Sequence, residues 1–586
     1  MLDAVKEIGE MAIKAENKSL LDVLIEDPNQ NGAYKNIIAI NFMIDGNDVT
    51  FRDVTIEQTD SSKVARYLYS SSGGNGPGYM PVAKITEPEK TFNGKILSWF
   101  KILSKKGLKI DNDEKKFLEN LNKSLQENKD RILDDIIKFR GEFPKKEGLV
   151  LMIKFIENNV NKYIGDIPVF RKLLIDSDND KYNKLSATDK VCSICGEKKD
   201  LVFGKVDTYA FYTIDKIGYI VGGFDEKKSW RNYPVCPDCR LKLEEGKKYI
   251  ENNLTFRFYG LRYQLIPKFL IGEDFIREDI INIFKDTTKL VTLKDSTEKR
   301  VIGDEDDITY FLKDADDSLS LNYLFIQKQN SAERILLLIE DVFPSHLREI
   351  FSAKDSVEKM FGDNFTFRNI RNFLSKSDIN KRDSDLDGYF LDITDRIFRG
   401  RKVDLNLLLK FIMKRVRDEF IEDRYYANAT KDGIMAVTFL EKLGLIEMEV
   451  YEMEERQLSD FFKKYDKNFE TPIKRGLVLL GALTELLLRK QYKDRGAKPF
   501  MKNLKSLKMD EKDIKGLLPK VQNKLEEYDS FDKGKRLLAK EVSNYLLLAG
   551  DNWHMPVDEI NFYFACGINL TDEIAAIIYN KEEELQ

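Results

Sequence analysis

The sequence predicts an α+β chain: a mixed N-terminal part carrying an inserted four-cysteine zinc module, followed by a C-terminal helical bundle. Three observations carry this. Residues 37–54 place two apolar, partly alternating runs on either side of the polar turn Asp45-Gly46-Asn47-Asp48, the pattern of a β-hairpin. Cys192-Ser-Ile-Cys195-Gly196 and Cys236-Pro-Asp-Cys239 are two knuckles of metal-ligand spacing. After about residue 430, apolar residues recur at helical intervals, with short breaks at Gly496, Pro499, Gly516, Gly534 and Gly550.

A chain of 586 residues is too long for one core, and 42% hydrophobic with 33% charged residues is a globular balance. The boundaries that fit the pattern are 1–187 (α+β, with a glycine-rich loop), 188–245 (zinc-knuckle module), 246–429 (strands, then helices) and 430–586 (bundle). Leu2, Val5, Ile8, Met11 and Ile13 keep a helical period, and the hairpin follows. Ser70-Ser-Ser-Gly-Gly-Asn-Gly-Pro-Gly78 is a glycine-rich loop, and residues 92–160 are mainly helical by period. Residues 201–221 and 254–266 are rich in strand patterns, the text beyond about 275 is helical, and 303–307 and 375–387 are polar loops. The bundle helices are expected at Gly476–Gln491, Pro519–Tyr528 and Leu537–Leu548.

Two Cys-x-x-Cys pairs can set four thiolates, Cys192, Cys195, Cys236 and Cys239, tetrahedrally around one Zn²⁺, leaving no open coordination position; such a site is structural rather than catalytic. The alternative is two unrelated pairs of free thiols. Lys198, Lys199, Lys227, Lys228, Trp230 and Arg231 surround the knuckles and are a possible nucleic-acid surface, although charged knuckle surfaces are common.

The N-terminus has no apolar stretch of signal-peptide length and no run approaches the ~20 residues of a membrane span, so the expectation is a cytoplasmic protein. The net charge of −5 argues mildly against a generic nucleic-acid binder, but Arg489–Lys540 holds 16 basic and 8 acidic residues, a local charge of +8. Enzyme motifs are missing: no Walker loop, no His-Glu-x-x-His, no Gly-x-Ser-x-Gly, and only two histidines, His346 and His554. His346 reads as a helix-start residue, His554 as packed at a loop, and Cys566 as a buried inert thiol. Asp383-Ser-Asp385-Leu-Asp387-Gly388 opens like a calcium loop, but Thr394 stands where a bidentate Glu is required, so an acidic linker is the better reading. Asp176-Ser-Asp178-Asn-Asp180 is weaker still, with Lys181 in place of the glycine.

Arg66-Tyr-Leu-Tyr69 with the glycine loop, the paired knuckles, Thr255–Pro267, Gly476–Gln491 and Asp558–Leu570 resemble, in this order and spacing, the large subunit of the type I-B CRISPR Cascade complex. The resemblance spans nearly the whole chain. It implies a non-catalytic subunit near the 5′ end of the CRISPR RNA that recognises the short motif flanking the target, helps open double-stranded DNA and recruits the helicase-nuclease, while base pairing reads the sequence. The implied partners are CRISPR RNA, target double-stranded DNA, Cascade backbone subunits, the helicase-nuclease, and a small subunit made from an internal start at Met435, Met448 or Met453, with the latter two preferred.

In that frame, Gly73, Gly74, Asn75 and Gly76 are candidates for the flanking-motif contact, because glycine backbone approaches a groove without side-chain clash; Lys84 is a phosphate candidate. Arg257, Arg262 and Lys268 lie among aromatic residues that could stack on unpaired bases, although core rings of a half-buried strand are the stronger reading. Arg489, Lys490, Lys493, Arg495, Lys498, Lys502 and Lys505 are candidate contacts to the backbone of the displaced strand. Two rival functions are a metal-dependent nuclease using the Asp383 cluster and a zinc-ribbon scaffold with no nucleic-acid role.

Overall fold

The computed structural model describes the chain except for residues 16–17, 71–77, 106–107, 213, 215–224, 271–318, 330–331, 379–380, 422–425, 449–457 and 584–586. It divides into two units: Met1–Asn252 with Lys328–Glu333, and Asn253–Gln327 with Arg334–Gln586.

The first unit opens with helix α1 (Leu2–Ala15), which buries Val5, Ile8, Ala12 and Ile13. The expected hairpin is β1 (Asn36–Asp45) and β2 (Asp48–Gln58), paired from Asn36↔Gln58 to Asp45↔Asp48 with a register shift between Asn41 and Phe42. Gly46 takes φ +60° in the turn, the left-handed conformation that glycine adopts without strain. After β3 (Val82–Lys84) come α2 (Asn112–Glu127), started by the Asp111/Glu114 capping box, and α3 (Lys129–Gly141). Then β4 (Leu149–Glu157) and β5 (Val160–Tyr163) complete a sheet of order β2-β1-β4-β3, with β5 also on β4 and β4 parallel to β1. The mainly helical reading of 92–160 thus fails after residue 148. Every residue from Leu149 to Ile156 is buried, so β4 is covered on both faces and shows a continuous apolar run without alternation.

Next come α4 (Pro168–Asn183), the short strands β6 (Ser186–Ala187), β7 (Lys190–Val191), β8 (Lys198–Lys199) and β9 (Val202–Phe203), and α5 (Pro237–Asn253). Of the strand-rich reading of 201–221, Val202 and Phe203 are strand, residues 208–211 form bends and a turn, and residues 213 and 215–221 lie outside the described residues.

The second unit begins, apart from Lys328–Glu333, with a four-stranded sheet in chain order, antiparallel from β10 to β12: β10 (Thr255–Phe258), β11 (Leu261–Phe269), β12 (Leu319–Gln329) and β13 (Ala332–Val342). The helical expectation beyond 275 is therefore wrong over 319–342. Residues Leu319–Ile326 are all buried, and a strand enclosed on both faces lacks the period that distinguishes it from a buried helix. The loop expected at 303–307 lies outside the described residues.

Helices follow: α6 (Pro344–Phe361), α7 (Phe367–Phe373), α8 (Asp387–Phe398), α9 (Leu405–Ile421), α10 (Tyr426–Lys442), α11 (Pro472–Arg495), α12 (Leu517–Glu527), α13 (Lys533–Ala549), α14 (Val557–Asn569) and α15 (Thr571–Glu583). The three expected bundle helices correspond to α11, α12 and α13. Helix α11 is buried on all sides along Gly476–Leu483, as a bundle's central helix must be. It meets α14 through glycines: a Cβ on Gly481 would lie 2.0 Å from the Phe564 carbonyl oxygen, and one on Gly567 1.9 Å from that of Val478. Helices α9 and α10 also pack on α14, and residue 430 falls inside α10.

Candidate metal centre and basic residues

The two knuckles close on each other. The four sulfurs of Cys192, Cys195, Cys236 and Cys239 lie within 4.8 Å of one another, and all but Cys195 are buried. In the first knuckle, the Gly196 N–H donates to the Cys192 carbonyl at 2.9 Å, with Gly196 at φ +71°. The Cys192 N–H donates to the Glu197 carbonyl at 2.9 Å. Between the knuckles, Phe203 and Val235 exchange backbone hydrogen bonds of 2.8 and 3.0 Å, which brings Cys236 beside Cys192. The Cys236 N–H then donates to the Cys192 sulfur at 3.3 Å.

The second knuckle leads into α5: Cys239 is in its first turn, and the Cys236 carbonyl accepts the Arg240 N–H at 3.0 Å. A helix N-terminus favours thiolate over thiol. Hydrogen bonding from Cys239 holds the Cys236 thiol down to about 5 despite its burial, while the same contact and burial push Cys239 up. Four cysteines in this arrangement can hold a metal ion such as zinc.

What holds α5 in place was missed in the sequence. Arg240, next to Cys239, is 1% exposed and pairs with Asp178 of α4; it also donates to Glu244 at 2.7 Å and lies 4.9 Å over the Tyr182 ring. The segment Asp176–Asp180 thus supplies an ion partner. The available signal was an arginine directly after a ligand cysteine.

The other expected residues divide three ways. Gly73, Gly74, Asn75 and Gly76 lie outside the described residues, as does Met453. Lys84 ends β3 with its amine 4.4 Å from the Tyr34 ring and 5.3 Å from the Tyr69 ring. Arg257 and Arg262 are exposed cross-strand neighbours, but Phe258, Tyr259 and Tyr263 are 4%, 8% and 1% exposed, so these rings are core and cannot receive bases. Lys268 pairs with Asp341 at 3.1 Å.

In the basic stretch, Arg489 binds Glu485 (3.0 Å) and Asp572, Lys490 binds Asp494 (3.0 Å), and Lys505 binds Asp513 (2.5 Å). Arg495 lies 4.9 Å over the Tyr528 ring. Among the described residues, Lys493, Lys498 and Lys502 have no carboxylate partner, and Lys493 and Lys502 are exposed. Met435 is buried within α10, whereas Met448 follows that helix.

The calcium-like loop is engaged internally: Asp385 accepts from the Ser377 N–H (2.7 Å) and from Lys381 (2.5 Å), and Asp387 pairs with Arg371. His346 starts α6, within 3.1 Å of Glu349 and 3.0 Å of the Ile397 carbonyl. His554 is exposed at φ +48° rather than packed. Cys566 is fully buried, and burial pushes its thiol up. Among the described residues no helix is long and apolar enough to cross a membrane.

Family models match the chain in three consecutive parts. The N-terminal domain of CRISPR-associated protein TM1802 (cas_TM1802) matches residues 1–176, the central domain of the same family 189–342, and its C-terminal domain 365–582. No curated protein matches the sequence. The central match contains all four cysteines, and the C-terminal match contains the basic stretch and the helices around it. With all three domains present in order, the chain belongs to the CRISPR-associated TM1802 (cas_TM1802) protein family.

Proposed function

We propose that the chain is the large subunit of a type I-B Cascade complex, a cytoplasmic, non-catalytic protein that binds nucleic acid and partner subunits. The observation that carries this reading is membership, over all three domains, in a CRISPR-associated family. Two features support it. The thiolate set is complete at four, so a bound Zn²⁺ would cross-link the module and have no position for a substrate. Two carboxylates of the Asp383 cluster, Asp385 and Asp387, are tied to Lys381 and Arg371, which disfavours the nuclease alternative.

In this reading the protein works by placement. The glycine-rich segment Gly73–Gly76, with Lys84 at the end of β3, contacts the flanking motif. Lys493, Lys498 and Lys502, free of acidic partners among the described residues, contact phosphates of the displaced strand without reading sequence. The helicase-nuclease supplies the chemistry, and CRISPR RNA supplies sequence recognition.

The test is co-expression of the chain with a repeat array and the neighbouring backbone subunits, with the chain tagged. CRISPR RNA and backbone subunits should co-purify, with one zinc per chain, and Cys192→Ser/Cys236→Ser should lose both metal and assembly. A tagged chain that carries zinc but never CRISPR RNA would contradict the proposal.

A further inference from the structure

We infer that the metal module carries a single-stranded nucleic-acid site of its own, built by Trp230 holding Lys190 and Arg231. Lys190 lies on β7, two residues before the first metal-ligand cysteine, and its amine is 4.8 Å from the centroid of the Trp230 ring. The Arg231 guanidinium is 5.4 Å from the same ring. Trp230 is half-buried, and its place is fixed by the tight turn against Gly204, where a Cβ would come within 2.5 Å of the Trp230 nitrogen. Among the described residues, Lys190, Arg231 and the adjacent exposed Lys227 have no carboxylate partner, whereas Lys198, Lys199 and Lys228 are paired with Asp189, Glu197 and Asp225.

Two cations held on one indole, with Lys227 three residues before the ring on the same short helix, form a preorganised positive patch. Long side chains in solvent lose rotamer freedom when they bind a phosphate; here the ring has already restricted them. The ligand class is a single strand, because its flexible phosphodiester chain can adapt to cations close together and its bases can use the apolar edge of the indole. The patch also depends on the metal. β7 pairs with β8 through Lys190↔Lys199 across the first knuckle, and Trp230–Arg231 precedes the second. Lys190 and Arg231 make the phosphate contacts; Trp230 positions both and offers its edge to a base.

This inference rests on the reading that the protein handles nucleic acid, but its test is separate. The full metal-loaded chain is titrated with a fluorescent mixed-sequence single-stranded oligonucleotide over a salt series, and photo-crosslinked adducts are mapped to peptides. Lys190→Glu/Arg231→Glu should weaken binding about tenfold or more and lower the slope of log affinity against log salt by about 1.4, two phosphates at about 0.7 each. It should also remove an adduct between Asp225 and Val235. Trp230→Ala should weaken binding, and Trp230→Phe should restore it. Lys145→Glu/Lys146→Glu, the same charge change elsewhere, should bind like the parent chain.

Unchanged affinity and adducts in Lys190→Glu/Arg231→Glu, with metal content and melting intact, would overturn the inference. So would equal competition by polyaspartate of matched charge, which would make the patch a site for acidic protein. Oligonucleotide binding through this patch by a chain that fails to join a CRISPR RNA assembly would leave this site standing and remove the larger reading.

Discussion

Gly9 and Gly246 meet backbone to backbone where α1 crosses α5. A Cβ on Gly246 would lie 1.9 Å from the Val5 carbonyl oxygen, and one on Gly9 would lie 1.8 Å from that of Lys242. The obstructing atoms are helix backbone and cannot rotate away. The N-terminal helix is therefore seated on the helix that begins at the metal centre, and the first unit joins sequence regions that otherwise read as separate domains. Gly246→Ala should destabilise this unit by about 1–3 kcal/mol or more through overpacking. Gly388→Ala, where a Cβ meets nothing within 4 Å, should change the melting midpoint little.

Arg240 should be among the most costly residues to replace in the metal module. Desolvation already pushes the Asp178 carboxyl up, and the guanidinium opposes that shift. Arg240→Met leaves this buried acid without its cation, and breaking a buried pair costs about 3–5 kcal/mol. Arg240→Met/Asp178→Asn should recover part of the loss in a denaturant titration, because one of the two carboxylates that Arg240 serves is then neutral, while Glu244 still lacks its cation.

Asp166 gives a pH signature. Burial would raise its carboxyl, but hydrogen bonds from Arg66 and from the Tyr163 N–H, at 2.7–2.9 Å, outweigh this and hold it below the ordinary carboxylate range. A depressed folded-state value stabilises the fold at pH above the unfolded carboxyl's pKa, near 4, and that stability is lost as pH falls through the folded value. The Arg66 side chain is 37% exposed, so solvent screening limits the effect to about 1 kcal/mol or less. Arg66→Ala should therefore lower stability at pH 7 and narrow the gap to the parent chain below pH 4, measured by urea midpoints across pH.

Much of this architecture was readable in the sequence, for identifiable reasons. The β1–β2 hairpin has a polar Gly46 turn, the knuckles have ligand spacing, and α11, α12 and α13 have helical periods with glycine and proline breaks. β4 and β12 were not readable because Leu149–Ile156 and Leu319–Ile326 are buried throughout, and two-sided burial erases the period of 2. The metal ligands were legible as residue types; the role of Arg240 was not, because its place after Cys239 names the residue but not its buried partner 62 residues earlier at Asp178. The aromatic-basic stretch showed residue types but not which face of β10 and β11 is covered.

The bundle's boundary has a consequence for an internal start. α9 and α10 pack on α14, and a Cβ on Gly433 of α10 would lie 3.2 Å from Phe562 and 2.6 Å from Ile412 of α9. A product beginning at Met448 lacks both helices and exposes that face of α14. On the isolated fragments, 448–586 should bind a hydrophobic dye and melt below 365–586, with less cooperativity. If instead 448–586 melts cooperatively at the same temperature as 365–586, α9 and α10 add nothing to the bundle.

As proposed, this protein holds nucleic acid and partners in place and performs no chemistry. The most direct measurement follows binding and cleavage together, using a matched target duplex with and without its flanking motif, for the metal-loaded chain alone and for the assembly with CRISPR RNA. The assembly should bind in a motif-dependent way that is lost when the chain is omitted, and the chain alone should not cleave with Mg²⁺ or Mn²⁺. Turnover by the purified chain, or target binding by the assembly that is indifferent to the flanking motif, would contradict the proposal.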